Sequence, residues 1–548
     1  MTGGIEFISD VVRRSAETWP DRIAVQNADG SVRLTYADLW REAERGAAVL
    51  RSMGLGSGDR VLLAVDPSPA WMAGFLAIAH AGLVSVAIPS TTSATLVRLV
   101  ALHAGIRVGI ANRANAWVES AITGMKLITP AHLAGVDRLI DRPADRTASS
   151  VAVLVFTSGS TARPRAVSLS HAALRANLRS LDALRTPAPG ETVLSTLPPS
   201  HAYELVAGQL APLAAGARIV YSGPVLPNRL IDTIRTQSVT RMMLVPALMD
   251  ALAHEVIDRL ALRNVIGTEC RGQTASAMAD RVHAMPPAER SRLQAAIRAE
   301  IGDAFVVATL GGAASDPSWT AVLSAGGVAI DVGYGLTEAG PIVAMGRADE
   351  CPPRSVGRAL PGVEIRIAED DEILVRSDAL MKGYAGDAAA TAAALVDGWL
   401  RTGDRGRLDA HGFLFIHGRI KEAMVTSAGE TIYPDEIEAA YDSPFFAELA
   451  VVPLQDDFGN DLPTLVVVPA PSPASTSAQI RAEVGRLRAA APARLRVHGF
   501  VVRSELPRSA AGKIRRRTIA DELRAVSPDR WTPESREPVS SSRSGESA

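Results

Sequence analysis

"VAVLVFTSGSTARPRAVSLSH", residues 151–171, sets an unbroken apolar run against a cluster of hydroxyls around one glycine, followed by two arginines. A short apolar run that stops abruptly at turn residues marks a strand buried on both faces. The periodic stretch 171–184 that follows predicts a helix. Between them, Thr157-Ser158-Gly159-Ser160-Thr161 can turn backbone amides and four hydroxyls toward one point, an arrangement that suits phosphate oxygens. No GxxxxGK[ST] pattern occurs, so the loop is not a Walker loop, and an ordinary Ser/Gly turn is the competing reading.

Outward from this stretch the same alternation repeats. "RVLLAV", residues 70–81 and "LVSVAI" read as strand, helix and strand on the N-terminal side. "TVLSTL", "ARIVYS", 229–237 and "RMMLVP" continue it on the other, and "AFVVATLGGAA" is one more strand running into glycines. Such order predicts parallel sheets layered with helices. Residues 263–302 are polar and helix-prone. From 355 to 418 the texture changes to short alternating segments, such as "VEIRIAEDDEILVRS" and "GFLFIHGR", which predict antiparallel hairpins. From about 420 a smaller α+β unit follows, with strands "ELAVVPL", "TLVVVPA" and "RVHGFVV" around a helix at 477–491. The expected architecture is therefore a large α/β domain with an antiparallel β subdomain over 1–419, a small mobile α+β domain over 420–526, and a Pro/Ser-rich disordered tail over 527–548.

At 548 residues the chain exceeds what one hydrophobic core supports. With 57 basic and 59 acidic side chains the net charge is -2, which argues against nucleic acid or an anionic membrane as partner. Cys270 and Cys351 alone cannot form a disulfide framework, and "MTGGIEFISDVVRRSAETW" lacks a signal pattern, so a cytoplasmic location is expected. "WMAGFLAIAHAGLVSVAIP", 71–89, is long and apolar enough to suggest a membrane span. Pro69 and Gly82 instead frame a buried helix leading into a strand, and no span is expected.

Four distant segments carry chemistry that matches the hydroxyl loop. In "GYGLTEAGP", 333–341, Tyr334 offers a ring for a purine face and Glu338 an oxygen ligand for a divalent cation. "GWLRTGDRGRL" ends a strand at Asp404, whose carboxylate could accept both hydroxyls of a ribose. "GRIKEAMVTSAGETIYPDEIE", 418–438, places Arg419 and Lys421 where the texture changes, as a hinge would be. "ELPRSAAGKIRRR" puts Lys513 in a loop before the terminal helix. Lysine occurs only at 126, 382, 421 and 513 among the 57 basic residues, so a lysine spared from the arginine bias is informative.

Together, and in this order, the segments resemble the adenylate-forming superfamily of acyl-CoA synthetases, aryl-CoA ligases, luciferases and peptide-synthetase adenylation domains, over roughly 1–525. The resemblance implies activation of a carboxylic acid with ATP and Mg²⁺ to an acyl-adenylate, then transfer to a thiol, either CoA or a carrier-protein phosphopantetheine. It implies that Thr157, Ser158, Gly159, Ser160, Thr161 and Arg165 wrap the β- and γ-phosphates, with Thr157 and Glu338 serving the metal. Tyr334 would stack on adenine, with backbone groups around Gly311, Gly312 and Ala313 at its edge. Thr337 would touch the α-phosphate, and Asp404 and Arg419 the ribose. Lys513 would be the catalytic lysine, and Gly429 would reach the site in a thioester-forming pose after rotation about 420–422. His201 and Gly335 would border the acid.

"LPPSHAYEL", "GRIKE" and "GETIYPDEIE" are most similar to long-chain fatty acyl-CoA synthetases. The family's TGxPKG reads "TARPRA" here, so Ala162, Arg165 and Ala166 replace Gly, Lys and Gly, and Val332 stands where a polar residue is common. Three functions stay open: a CoA synthetase for a medium- or long-chain acid; a ligase that loads a carrier protein or stops at the adenylate; and a nucleotide-binding homologue with little turnover.

Overall fold

The chain is represented by a computed structural model that describes residues 7–112, 125–133, 146–157, 165–185, 187–223, 226–271, 275–312, 317–425, 431–455, 461–470, 476–508 and 514–526. The expected tail, 527–548, lies outside the described residues.

Two large sheets carry the first 420 residues. In the first, Ile23–Asn27, Arg218–Tyr221, Thr192–Ser195, Arg241–Leu244, Val307–Leu310 and Ala329–Gly335 lie side by side and parallel. The direction reverses at Ile342–Arg347. From there Ser355–Ala359, Phe413–Arg419, Trp399–Leu408, Glu372–Ser377 and Val363–Ile367 continue as antiparallel neighbours. The expected α/β part and hairpin part are thus one hydrogen-bonded sheet of 14 strands. The second sheet holds Lys126–Ile128, Val108–Ala111, Arg60–Ala64, Val84–Ala87 and Val151–Thr157 in parallel, closed by antiparallel Arg165–Ser170 and Gly383–Tyr384.

The apolar stretch at 71–89 is a helix, Pro69–His80, followed by the strand Val84–Ala87. Ser68 caps it by accepting from the Trp71 amide, and its residues are buried on nearly every side, as expected of a helix inside a large core. Gly46, on helix Tyr36–Ser52, permits the close approach: a methyl there would lie 2.8 Å from the Ala77 Cβ. Among the described residues no helix is long and apolar enough to cross a membrane.

Three elements add detail that the sequence reading did not contain. The polar stretch 263–302 forms two helices, Ala275–Ala284 and Pro287–Ile301, because consecutive prolines at 286 and 287 bar a continuous one. Residues 165–170 form a strand, and the helix begins at His171. Glu204–Leu210 winds as a π-helix.

After the turn Ile420–Glu422, a three-stranded sheet forms from Phe446–Gln455, Asp461–Pro469 and Gly499–Val502, flanked by Pro434–Ala440, Ser477–Ala490 and Arg516–Val526. Arg516, largely buried, gathers Glu422 (3.1 Å), Asp435 (3.0 Å) and Glu438 (2.8 Å), tying the terminal helix to that turn. Burial raises Asp435 to about 6 even though Arg516 opposes the shift.

Candidate active site

Thr157 and Arg165, which flank the hydroxyl-rich segment in the sequence, are the last register pair of their two strands. Ser158, Gly159, Ser160 and Thr161 lie outside the described residues, as does Ala162. Ala166 sits in the ladder opposite Phe156, and its carbonyl accepts the Ala385 amide at 2.8 Å. Alanine in place of glycine is therefore accommodated at 166 by ordinary extended backbone.

The neighbouring strand Gly383–Tyr384 brings Tyr384 beside Arg165, whose guanidinium carbon is 5.1 Å from the ring centroid. The phenol donates to Glu338 Oε1 at 3.0 Å. Burial first, and then the Glu338 charge, push that phenol up to about 12, so it remains a donor at neutral pH. Glu338 stands on a single 3₁₀ turn, Thr337–Ala339, whose carbonyl at 338 accepts the Met381 amide at 2.8 Å. Thr157, Arg165, Tyr384 and Glu338 thus form one chain of contacts assembled from three remote segments. Tyr384 escaped the sequence reading; the signal available was Lys382, one of four lysines, two residues before it.

Strand Ala329–Gly335 presents a second cluster four residues away. The Tyr334 hydroxyl donates to Asp404 Oδ2 at 2.7 Å, and Arg419 Nε bonds Asp404 Oδ1 at 3.0 Å. Asp404 and Arg419 face each other across two antiparallel strands. Asp404 is only 5% exposed, yet each oxygen keeps a further lone-pair direction for another donor. Asp404 is the largest influence keeping Arg419 charged against burial, and Glu422 and Glu338 add to it, which links both clusters electrostatically. Burial and the Asp404 charge hold the Tyr334 phenol well above its usual range.

Gly311 and Gly312 lie at the end of the adjacent strand, with the Gly311 amide donating to the Leu244 carbonyl at 3.1 Å. Ala313 is outside the described residues. A methyl at Gly311 would lie 3.4 Å from Tyr203 Cζ, and the Tyr203 hydroxyl donates to the Thr309 carbonyl at 2.8 Å. His201, two residues earlier, accepts the Leu205 amide on its carbonyl. The sequence reading carried His201 from "HAYEL" and passed over Tyr203 and Glu204, whose partners are remote in sequence.

Gly335 is demanded by sterics: a methyl there would lie 2.0 Å from the Pro341 carbonyl oxygen and 3.0 Å from Ile342 Cα. Gly335→Ala is expected to cost at least about 3 kcal/mol, since backbone atoms must move. A lowered denaturant midpoint of unfolding, or loss of folded protein, checks it.

Gly429 and Lys513 lie outside the described residues. The flanks of the Lys513 loop are described: Arg508 and Ile514 form an antiparallel bridge, and the Arg515 amide donates to the Pro507 carbonyl at 2.8 Å.

Residues 12–385 match the family described as AMP-binding enzyme. Among curated proteins, the chain is 29% identical over 476 residues to a feruloyl-CoA synthase of an Amycolatopsis species, covering 83% of this chain and 87% of that one. It is 27% identical over 555 residues to the fatty acid–[acyl-carrier-protein] ligase MmaC of Mycobacterium marinum, covering 92% and 95%. Its fold matches o-succinylbenzoate coenzyme A synthetase of Bacillus subtilis, solved with ATP and magnesium ion, with a TM-score of 0.74 at 20% identity over 92% of this chain and 98% of that one.

Proposed function

The chain belongs to the AMP-binding enzyme family, and from that premise we propose that it activates a medium- or long-chain fatty acid with ATP and passes the acyl group to CoA. At the coarser level it is an acid–thiol ligase of the AMP-forming type, which adenylates a carboxylic acid and then forms a thioester with CoA or a carrier protein. A carboxylate oxygen of the acid bonds to the α-phosphorus as the bond to pyrophosphate breaks. The thiol sulfur then bonds to the acyl carbon, AMP departs, and the thiol proton is lost to solvent.

One observation supports the reading above all: residues near 157–165, 334–338, 384, 404 and 419 converge into two linked clusters of hydrogen-bonding and charged groups. In this proposal Thr157, Arg165 and the loop between them face the β- and γ-phosphates. Thr337 touches the α-phosphate, the Tyr334 ring meets adenine beside Gly311, Gly312 and Ala313, and Asp404 with Arg419 holds the ribose. Glu338 keeps its second carboxylate oxygen for Mg²⁺ and Thr157 offers its hydroxyl, a donor set that fits an ion taking most of its ligands from phosphates and water. Magnesium supplies charge neutralisation on the triphosphate. Lys513 adds a compact ammonium where charge shifts around the α-phosphorus. Division at about residue 420 lets the small unit rotate between half-reactions, bringing Gly429 to the thiol side.

A fatty acid is favoured by the apolar wall beside Gly311 and Gly312. Tyr203 flanks the first, Val245 lies 3.5 Å from a methyl position on the second, and Leu248 packs against both major core clusters. His201 and Gly335 border the acid, and an apolar wall penalises a charged tail. A carrier protein as acyl acceptor is the second reading, favoured by the end-to-end match with MmaC.

The test is ATP–pyrophosphate exchange with acids from hexanoate to palmitate and with hydroxycinnamates, followed by thioester analysis with CoA and with phosphopantetheinylated carrier protein. Exchange with the fatty acids and an acyl-CoA product is expected. Exchange confined to hydroxycinnamates sinks the fatty-acid assignment, and no exchange with any acid sinks the whole reading.

A further inference from the structure

Behind the candidate acid cleft lies a buried carboxyl group to which no step above assigns a role. Glu204 opens the π-helix Glu204–Leu210 and has no exposed surface. Its Oε1 accepts from Ser195 Oγ at 2.6 Å and from Gln209 Nε2 at 2.8 Å, while Gln209 Oε1 accepts from the Tyr221 hydroxyl at 2.7 Å. Its Oε2 is equally buried and has no hydrogen-bond partner among the described residues. Gly208 makes the room: a methyl there would lie 2.5 Å from the Glu204 carboxyl carbon and 2.6 Å from both oxygens. The carboxyl group is therefore folded back into a notch in its own helix.

The adjacent residue points the other way. Tyr203 anchors its hydroxyl on the Thr309 carbonyl and lays its ring against Gly311, at the edge of the candidate site. One wide turn thus ties an interior carboxyl group to the wall of the cleft, and π-type turns recur at functional sites because they reposition side chains. A bare carboxylate oxygen in a dry interior is costly, whereas a neutral carboxyl group is tolerated there. Burial raises Glu204 to about 7, opposed by the Ser195 and Gln209 hydrogen bonds. Among the described residues no charged side chain contributes to that balance; the phenols Tyr203 and Tyr221 feel its charge, and Asp331 acts on Tyr203 as well. His201 is the other ionisable side chain on this segment.

We infer that Glu204 is a positioning residue for acid activation, which as a neutral carboxylic acid keeps Tyr203 seated in the wall of the acid cleft and on ionising loosens the enzyme's grip on the acid. This rests on the acid-activating function proposed above.

The experiment measures kcat and acid KM for pyrophosphate release from about pH 6 to about pH 8.5 in the native enzyme, Glu204→Gln and Ser195→Ala. In the native enzyme the acid KM is expected to rise about tenfold for each pH unit above the midpoint, with kcat changing less than about twofold. Glu204→Gln, permanently neutral and of the same shape, is expected to hold the low-pH KM throughout. His201 is common to all variants, so the difference between the profiles belongs to Glu204. Ser195→Ala removes a bond that favours the charged form, and should move the KM rise to higher pH; it serves as the readout if Glu204→Gln fails to fold. Identical KM profiles in the native enzyme and Glu204→Gln, an unmoved midpoint in Ser195→Ala, or a pH effect confined to kcat overturns the inference while leaving acid activation intact. Absence of acid-dependent pyrophosphate release at every pH overturns the proposed function itself.

Discussion

Lys513→Ala is expected to lower acyl-adenylate formation by on the order of 100- to 10,000-fold while leaving conversion of a supplied acyl-adenylate to thioester within about twofold. The asymmetry follows from charge. In the first half-reaction an anionic carboxylate approaches a polyanion, and a desolvated ammonium is worth about 3–5 kcal/mol there. In the second a thiol attacks an acyl carbon already bonded to phosphate, and no like-charge approach remains. Arg508 and Ile514, which flank Lys513 in the sequence, form an antiparallel bridge two residues before Arg516 and its contact with Glu422. Lys513→Arg should recover only part of the rate, because a planar fork of different reach replaces a compact charge. Single-turnover assays of each half-reaction decide the matter, and equal loss in both removes the proposed division of labour.

Asp404→Ala should reduce kcat/KM for ATP by on the order of 100- to 1,000-fold, or about 3–4 kcal/mol. Asp404 is the shared acceptor of Tyr334 and Arg419, so truncation removes the proposed ribose contact, strands the partly buried Tyr334 hydroxyl and leaves the half-exposed Arg419 guanidinium without its carboxylate. Asp404→Asn keeps the shape and should recover part of the loss. Isothermal titration with Mg-ATP gives the binding component. An unchanged ATP affinity in Asp404→Ala would mean that the cluster is structural and the nucleotide sits elsewhere. Both half-reactions should suffer here, unlike with Lys513, because the adenylate carries the same ribose.

Much of this protein was legible before folding was considered. The apolar run before Thr157 and the change to alternating strands after 355 are local patterns, and the structure bears out the strand and the antiparallel ribbon. The strand 165–170 was missed because it is edged by the loop's own polar residues and takes its character from pairing with Val151–Thr157. Tyr384 was missed because its meaning depends on Glu338, which meets it only through the ladder to residues 167 and 168. Glu204 enters the sequence reading only as part of "LPPSHAYEL", and its burial depends on Ser195, Gly208 and Tyr221 closing around it. The loop residues 158–161 and Ala313, Gly429 and Lys513 rest on motif alone, since they fall outside the described residues.

By itself the sequence determined most of the segments that are strands or helices, and which residue types are available for phosphate and carboxylate chemistry. Periodicity, caps and glycine sterics act over a few residues and leave a local trace. Only the tertiary structure decided that Tyr334 is committed to Asp404, that Arg165 and Glu338 share Tyr384, and that the Glu204 carboxyl group is buried from solvent. Those pairings join residues brought together by strand register and core packing, and their energies arise only once water has been excluded between them.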